Sequence, residues 1–490
     1  MGVLGSIIEL IMSKKLFIST AIPYVNARPH IGFALELVQA DVLARFYREI
    51  EGGQVFFLTG ADENSLKNVQ AAESEGIPVA ELVERNAGFF RKLAEKLNIS
   101  NDDFIRTSVE ERHIKGARKL WQNCRPEDIY KKNYRGFYCV GCEEFKRERD
   151  LIDGRCEEHP DRELQVVEEE NYFFKLSNYS HILEELIKQE KLRIIPETRR
   201  NEILRFIEDG LEDFSISRSR ERAKEWGISA PGDDSQIIYV WFDALSNYIN
   251  ALGYAYNSEK FKEFWQNEDA ETIHVIGKGI NRFHTVYWPA MLLSAGVRTP
   301  NKVLVHGYIT VEGQKISKSL GNVIDPVELI EKYGAEAARY YLLREIPTGG
   351  DGDFSREKFE ARYNGDLANG LGNFTSRVLK LAEKNDTFSG ELGEFREKVA
   401  ETKKKVAGKV EEFRLNEAIA DIWELVAAGD KYINDKKPWE TGDKEIIGTA
   451  VAALAAVAEF LKPFLPETAG KILGHIERQE AVGKPLFPRI

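Results

Sequence analysis

The stretch LFISTAIPYVNARPHIGFALELVQADVLARFYREIEGGQVFFLT, residues 16–59, is the most informative about the fold of this 490-residue chain. Its first six residues are apolar and β-prone, and a turn containing proline and asparagine follows at residues 22–28. Apolar residues behind the turn recur at helical spacing, which predicts a buried helix face. After Gly52-Gly53, residues 55–59 form a second buried-strand candidate. This order of strand, helix and strand predicts a parallel, doubly wound (Rossmann-like) α/β sheet.

Three further strand candidates, residues 237–240, 272–276 and 302–305, are expected to complete the second half of that sheet. In a doubly wound sheet, ligands bind outside the carboxyl ends of the strands. The residues that the sequence places after strands, and that we therefore expect near this edge, are His30, Trp241, Gly277, His284 and Lys318. Taken singly, each has a structural explanation, such as a core tryptophan or a hydrogen-bonded helix histidine.

Pro29-His30-Ile31-Gly32 falls at the predicted start of the first helix. Proline suits the first helical position, which would place His30 and Gly32 in the first turn. Unpaired N–H groups and the helix dipole favour anions there. Gly32 would let a ligand approach the backbone, and His30 can donate to a phosphate oxygen in either tautomer. Alone, the motif fits equally well a histidine that caps a turn and a glycine that eases packing.

A second motif, Lys315-Ile316-Ser317-Lys318-Ser319, lies 285 residues after His30. Its lysines and serines predict a cationic loop rich in hydrogen-bond donors, which suits a polyphosphate whose charge moves during a reaction. Short runs of lysine and serine are common on protein surfaces. The motif therefore gains its specificity from the His30 motif.

A metal knuckle is predicted from two close pairs of ligands. Cys139 and Cys142 form the first pair, and Cys156 and His159 form the second, with 13 residues between the pairs. Three thiolates and an imidazole can surround one Zn²⁺ tetrahedrally, which leaves no open position for water. The sequence therefore predicts one structural zinc, with folding of residues 134–160 dependent on it.

Composition narrows the class of protein. A net charge of −12 argues against a general nucleic-acid coat, and 43% hydrophobic residues suffice for a large core. No stretch has the ~18 apolar residues of a membrane span. Residues 1–11 lack the basic start of a signal peptide, so we expect a disposable N-terminal extension and a cytoplasmic protein.

Beyond about residue 355 the strand patterns stop and long amphipathic helices take over, which predicts a separate all-α bundle. The predicted organisation is an N-terminal extension (1–14), the two halves of the catalytic domain (15–119 and 231–314), a connective insertion (120–230) with the knuckle, a lysine-serine loop and stem-contact region (315–358), and a helical domain (359–490).

The paired motifs resemble the two signatures of class I aminoacyl-tRNA synthetases. The wider match, from about Lys15 to Ile490, resembles the methionyl-tRNA synthetase family. It rests on Ala21-Ile22-Pro23-Tyr24-Val25-Asn26, the cysteine and histidine knuckle, Trp241-Phe242-Asp243-Ala244-Leu245, Tyr287-Trp288-Pro289-Ala290-Met291, residues 366–377 and residues 434–439.

The resemblance implies a methionine–tRNA ligase. Methionine and ATP would give methionyl-adenylate and pyrophosphate, and the methionyl group would pass to tRNA(Met). By resemblance, His30, Gly32, Gly277 and Lys318 bind ATP, Lys318 stabilises the transition state with help from Lys315, and Mg²⁺ shares the charge. The family's methionine pocket corresponds here to Ile22, Tyr24, Asp62, Trp241, Ala244, Leu245, Tyr248, Ile280 and His284. Its anticodon contacts correspond to Asn373, Arg377, Pro438 and Trp439.

The chain departs from the family pattern at three places. Phe33 stands where a second histidine is common, and Asn64-Ser65 stands where the family often has His-Gly. Gly279 replaces an aspartate that usually contacts the ATP ribose. The resemblance implies that the ribose is then held by backbone or by another side chain.

Alternative functions remain at this stage: another class I synthetase such as the cysteine enzyme, a non-catalytic tRNA-binding paralogue, or a nucleotidyltransferase acting on a small molecule. The catalytic His30, Lys315 and Lys318 argue against the paralogue, and the helical domain argues against the nucleotidyltransferase. The chain ends without the extra tRNA-binding barrel that dimerises some family members, so we expect a monomer.

Overall fold

The computed structural model describes residues 14–141, 144–146, 151–157, 160–315 and 323–490. The elements of the first part of the chain are β1 (Lys15–Thr20), α1 (Ile31–Arg45), β2 (Gln54–Ala61), α2 (Leu66–Glu75), α3 (Val79–Lys96), β3 (Asp103–Arg106) and α4 (Glu111–Asn123). The elements of the middle part are β4 (Ile129–Cys139), β5 (Glu144–Lys146), β6 (Leu151–Ile152), β7 (Arg155–Cys156), β8 (Gln165–Phe174), α5 (Ser180–Lys188), β9 (Arg193–Ile195), α6 (Glu197–Glu208), β10 (Phe214–Ser215), β11 (Ser217–Ser219), β12 (Ser229–Ala230) and β13 (Asp233–Ile238).

The chain then returns to the predicted catalytic region. Its elements are α7 (Val240–Leu245), α8 (Asn247–Ala251), α9 (Glu259–Phe261), β14 (Ala270–Gly277), α10 (Trp288–Ser294), β15 (Lys302–His306), β16 (Ile309–Val311), β17 (Gln314–Lys315), α11 (Pro326–Tyr333), α12 (Ala335–Glu345) and β18 (Gly352–Phe354). The last part of the chain is helical and contains α13 (Arg356–Arg362), α14 (Asn373–Lys384), α15 (Arg396–Glu411), α16 (Leu415–Lys436), α17 (Pro438–Thr441), α18 (Lys444–Leu461) and α19 (Pro466–Arg478).

The central sheet has six strands in the order β3-β2-β1-β14-β15-β9, and every neighbouring pair is parallel. This confirms the parallel α/β prediction and the strand candidates in β1, β2, β14 and β15. From β1 the chain proceeds through α1 to β2 on one side, while β14 lies on the other side. The strand order therefore reverses between β1 and β14, and the crevice above their carboxyl ends is where such sheets bind ligands.

The prediction for residues 237–240 was wrong in its placement. β13 pairs antiparallel with β11 and β12 in a separate three-stranded sheet, and Val240 already begins α7. Conversely, β9 lies at the edge of the central sheet and was not predicted. Three residues are too few for a hydrophobic period, so the position of this strand depends on its long-range pairing with β15.

Both faces of the central sheet are buried, as expected for parallel strands. Alternate residues of β1 point in opposite directions: Leu16 and Ile18 join one apolar cluster, and Phe17 joins the other. The cluster around Leu16 continues through α1 into the C-terminal helices, where it includes Ile419 and Leu454. The catalytic sheet and the helical domain consequently share one apolar core.

The segment between α4 and α7 carries its own antiparallel sheet, β10-β8-β4-β5, and a separate β6-β7 hairpin. Tyr138, Val140 and Val167 form the small apolar cluster of this region. Among the described residues, no helix is both long and apolar enough to span a bilayer.

Candidate active site

His30 caps the first helix at the crevice. Its backbone is extended (φ −112°, ψ 170°), and its Nδ1 accepts the N–H of Gly32 at 3.1 Å. The helix begins at Ile31, so the expectation that Pro29 takes the first helical position and His30 lies inside the first turn was wrong by two residues for the proline and one for the histidine. The reason is that the imidazole itself serves as the cap, which requires an extended residue before the helix.

The cap determines which nitrogen of His30 faces outward. Because Nδ1 accepts a hydrogen bond, the proton of the neutral ring lies on Nε2, which remains a donor. Desolvation and then the neighbouring His306 lower the pKa of His30. A Cβ at Gly32 would lie 2.9 Å from His30 Cε1, so glycine is needed here to admit the imidazole over the helix start.

A buried pair behind His30 was missed by the sequence analysis. Glu36 Oε1 accepts the N–H of Ala21 at 2.8 Å, and its Oε2 lies 2.9 Å from His306 Nε2. His306 Nδ1 lies 2.8 Å from the carbonyl of Gly307. Burial raises the pKa of Glu36 against the opposing effect of His306. The Glu36–His306 pair links the ends of β1 and β15 to α1. The sequence feature that could have indicated this pair is Glu36 itself, a charged residue inside an otherwise apolar helix.

The lysine-serine motif begins at the end of a well-anchored hairpin. Lys315 is the last residue of β17 and pairs with Thr310 of β16. Asp353 accepts hydrogen bonds from Thr310 Oγ1 and from the N–H of Gly313, both at 2.7 Å. The rest of the motif, including Lys318, falls in residues 316–322, which lie outside the described residues. The β16–β17 hairpin starts three residues after β15, so the motif begins near the carboxyl ends of the central strands, as predicted.

Gly277, the last residue of β14, and Gly279, in the turn that follows, line the same edge. A Cβ at Gly277 would make ordinary contact, 3.5 Å, with His306 Cε1. A Cβ at Gly279 would lie 2.4 Å from Tyr308 Oη. The hydroxyl of Tyr308 therefore occupies the space that a side chain at position 279 would need.

Aromatic rings form one wall of the predicted methionine pocket. Trp241 stacks on Phe283 with centroids 3.7 Å apart and planes 6° from parallel. Tyr24 meets Trp241 edge-on at 6.2 Å. Phe283 was not among the predicted pocket residues, and its position is fixed only by the fold of the segment after β14.

A hydrogen-bonded pair lies at the back of the pocket. Tyr248 Oη and His284 Nε2 are 2.6 Å apart, and His284 Nδ1 lies 2.9 Å from the carbonyl of Ile280. Nδ1 therefore donates to that carbonyl, and Nε2 accepts the tyrosine proton. Burial lowers the pKa of His284 to about 4 and raises that of Tyr248 well above its usual value. Both groups are consequently neutral near pH 7, as suits an uncharged thioether side chain.

The remaining predicted pocket residues lie beside these rings. Ala244 and Leu245 are buried in α7, and Ile22 packs half-buried against the same apolar cluster. Asp62 is 2% exposed, and its backbone forms a parallel bridge with Tyr24. A buried carboxylate beside the aromatic wall is a suitable partner for an ammonium group.

Asn64 takes part in a network that holds the helix carrying Trp241. Its Nδ2 donates to Asp243 Oδ2 at 2.7 Å, and His113 Nε2 lies 2.5 Å from Asp243 Oδ1. All but Asn64 are fully buried. The departure at Asn64 thus keeps a hydrogen-bond donor facing Asp243. Phe33, which stands where the family often has a second histidine, packs edge-on against Phe90 in the core, with ring centroids 5.3 Å apart.

Of the four predicted metal ligands, Cys139 and Cys156 are described. Cys139 ends β4 and Cys156 lies in β7, and each is 1% exposed. Cys142 and His159 lie outside the described residues. Among the residues that are described, no group of three or more potential ligands comes together.

The predicted anticodon residues meet on the outer face of the helical domain. Arg377 donates to Asp430 at 2.8 Å and to Asn434 at 2.7 Å, and its guanidinium lies 5.4 Å from the Trp439 ring centre. Asn373 is exposed one helical turn before Arg377 on α14. Pro438 is buried at the start of α17, whereas Trp439 is 42% exposed. The indole of Trp439 therefore lies at the surface and not in the helical core.

Comparison with known families places this arrangement in a class. The model described as tRNA synthetases class I (M) matches residues 16–165 and 149–379, and the model described as anticodon-binding domain of tRNA ligase matches residues 393–489. Together with the parallel sheet and the crevice at His30, these matches place the chain among the class I aminoacyl-tRNA synthetases.

Individual relatives narrow the class. The methionine–tRNA ligase of Thermotoga maritima is 41% identical over 96% of this chain and 76% of its own length, and that of Brucella suis is 42% identical over 94% and 91%. The Mycobacterium tuberculosis methionyl-tRNA synthetase in complex with methionyl-adenylate superposes with a TM-score of 0.88 at 39% identity, covering 94% of this chain and 93% of the other. The chain belongs to the methionyl-tRNA synthetase family. These matches favour a methionine–tRNA ligase over the cysteine enzyme and over the non-catalytic paralogue.

Proposed function

We propose that this chain activates methionine with ATP and transfers the methionyl group to tRNA(Met). The observation that carries the proposal is the junction, along one sheet edge, of an anion-binding helix start at His30 with the aromatic wall formed by Trp241, Phe283 and Tyr24. Tyr24 lies in the loop that leads to His30 and contacts Trp241, so the two sites share one connection. A carboxylate of methionine held there would face the phosphates of ATP.

In the first step, a methionine carboxylate oxygen forms a bond to the α-phosphorus, and the bond from that phosphorus to the bridging oxygen of pyrophosphate breaks. No protein nucleophile is needed, so the chain contributes positioning and charge stabilisation. His30 Nε2–H donates to a phosphate oxygen at the N-terminus of α1, with Gly32 and Gly277 nearby. Lys318 and Lys315 stabilise the departing pyrophosphate, and Mg²⁺ bound with ATP shares its charge.

The methionine side chain is held by the aromatic pocket, and its ammonium group by Asp62. The back of the pocket presents the neutral Tyr248–His284 pair. In a pocket of this kind one methylene changes binding by only ~1–3 kcal/mol. Selection therefore depends on how closely the thioether fits against Trp241 and Ile280, and not on a charged contact.

The helical domain reads the anticodon with Asn373, Arg377 and Trp439, while Pro438 sets the turn that exposes the indole. The guanidinium and the indole lie next to each other, so an unpaired base can stack on either plane. We further propose the domain boundaries given above, a monomeric state and a cytoplasmic location.

The test is ATP–pyrophosphate exchange measured with each of the twenty amino acids. We expect exchange with methionine and no other natural amino acid at comparable rate. Exchange with cysteine and not with methionine would identify the cysteine enzyme instead. If the chain binds tRNA but shows no exchange with any amino acid, it is a non-catalytic tRNA-binding paralogue.

A structural zinc fits the two described thiols. Cys139 and Cys156 are buried in a region whose apolar cluster has three members, a core too small to hold it together alone. Cys139, Cys142, Cys156 and His159 would hold the ion, which would stabilise the fold of the insertion. Elemental analysis should find about one zinc per chain, and Cys142→Ser should lower it. Cys124→Ser, at a buried cysteine directly after α4 and outside the knuckle at residues 134–160, is the matched control and should retain full zinc content.

A further inference from the structure

Gly279 makes room for a single atom. It lies in the short helical turn Lys278–Ile280 after β14, and its φ is outside the left-handed region, so the backbone does not require glycine. A Cβ there would lie 2.4 Å from Tyr308 Oη but 3.5 Å from Cζ, which is ordinary contact. Only the phenolic oxygen therefore conflicts with a side chain at position 279.

Tyr308 is held in place from several directions. Its N–H donates to Asp351 Oδ1 at 2.8 Å, and its carbonyl accepts the N–H of Gly352 at 2.9 Å. The ammonium of Lys278 lies 4.4 Å from the ring centre and pairs with Asp351 at 2.7 Å. A ring fixed on its backbone and on one face has little freedom to choose another rotamer, so its hydroxyl occupies a defined point.

That point lies beside the turn that directly follows β14, at the crevice edge of the central sheet. The proposed phosphate site at His30 lies at the N-terminus of α1, beside β1. Tyr308 follows β15, which is two strands away from β1 across the crevice. A nucleotide with its phosphates at α1 and its length across the crevice has its ribose above the end of β14. The turn at Gly279 directly follows β14.

We propose that the Tyr308 hydroxyl holds a ribose hydroxyl of ATP, and that Gly279 is glycine in order to admit it. A phenol can donate one hydrogen bond and accept others, as can a sugar hydroxyl, and neither carries charge. Tyr308 is thereby a substrate-positioning residue. The inference rests on the proposed function, since it assumes that ATP binds in this crevice.

The test compares ATP with 2′-deoxy-ATP and 3′-deoxy-ATP in methionine-dependent exchange. Loss of one neutral hydrogen bond should raise the KM of Tyr308→Phe for ATP about 3- to 10-fold. The KM of this variant for the analogue that lacks the contacted hydroxyl should equal that of the unsubstituted chain. The variant therefore loses its discrimination between ATP and one analogue. A merely structural role would raise all three KM values alike and would overturn the proposal.

Gly279→Ala supplies an independent arm. Its Cβ should displace the hydroxyl and reproduce the KM effect of Tyr308→Phe, whereas the double variant should be no worse than Tyr308→Phe alone, because the ring carbon leaves 3.5 Å. Additive losses would count against the proposal. Tyr256→Phe, an exposed phenol beneath Lys115, is the matched control and should change nothing. If the unsubstituted chain shows no exchange, the proposed function fails; if it exchanges and Tyr308→Phe discriminates normally, only this inference fails.

Discussion

His30 folds its imidazole over the start of α1, and the space for that ring exists because residue 32 has no side chain. The hydrogen bond from the Gly32 N–H fixes the tautomer as well as the position, so one small residue determines both the placement and the donor of the phosphate contact. This differs from the expectation that Gly32 serves to let the ligand approach the backbone. The nearest group to its missing Cβ is protein.

Gly32→Ala should therefore act on catalysis through His30. The added Cβ would stand 2.9 Å from the imidazole and would push it off the helix start. We expect kcat for exchange to fall about 100-fold, as for a misplacement of roughly 1 Å, with KM for methionine unchanged. Gly88→Ala is the matched control: its Cβ would meet no atom within 4 Å, so activity should persist. Equal activities of the two variants would contradict the role of the cap.

His284 should make stability depend on pH in acid. Its folded pKa of about 4 lies below the usual histidine value of about 6.5, so between these values the unfolded chain binds a proton that the folded chain does not. The free energy of unfolding should consequently rise with pH from 4 to 6.5, by on the order of 3 kcal/mol for this group, and level off above. Urea unfolding across that range measures the slope.

His284→Asn removes one titrating group and should reduce the slope between pH 4 and 6.5. Burial also lowers the pKa of His274, so this second histidine should retain part of the slope. His181→Asn, at an exposed histidine on α5, serves as the control and should retain the slope of the unsubstituted chain. If His284→Asn leaves the slope unchanged, the ring is protonated in the folded chain and cannot accept the proton of Tyr248.

At the scale of elements, the strand-helix-strand order at residues 16–59 predicted the parallel sheet correctly because local apolar patterning and turn residues agree there. The prediction for β13 failed because its apolar end resembles a buried parallel strand. In the structure β13 pairs antiparallel with β11 and β12. A strand pattern states which residues can be buried. It does not state which strand pairs with which.

Arg377 of α14, held by Asp430 and Asn434 of α16, lies beside Trp439 of α17, whose indole is exposed. If this face stacks on an anticodon base, Trp439→Ala should lower kcat/KM for tRNA about 10- to 100-fold, which corresponds to the ~1–3 kcal/mol of one stacked base. Exchange, which needs no tRNA, should be unchanged, and so should the melting temperature. Tyr256→Ala, an exposed aromatic away from this face, should affect neither reaction. Loss of exchange in Trp439→Ala would indicate a structural role instead.

At the scale of the whole molecule, Arg339 connects the catalytic sheet to the helical domain. This residue of α12 is fully buried, pairs with Asp41 of α1 at 2.8 Å and donates to the carbonyls of Leu97, Pro463 and Phe464. Four acceptors surround one guanidinium, so the contact is directional as well as charged. Its contacts join α1 and the end of α3 to the segment between α18 and α19.

Arg339→Met should lower the free energy of unfolding by about 3–5 kcal/mol, because it leaves buried carbonyls and a buried carboxylate without their donor. Arg344→Met, on the same helix but partly exposed, is the control and should cost far less. Urea unfolding measures both. A loss below about 1 kcal/mol for Arg339→Met would mean that Arg45 and Ser100, the other partners of Asp41, satisfy it alone.

The parallel α/β sheet, the helical domain and the family could be predicted from the sequence, because they depend on local periodicity and on short contiguous motifs. Which groups meet in the site depends on the fold: Glu36 contacts His306 across 270 residues, and His113 contacts Asp243 across 130. The contact of Tyr308 with the space above Gly279 is of the same kind. Such pairs leave no local pattern, since a buried polar group is stabilised by whichever distant partner the fold brings to it.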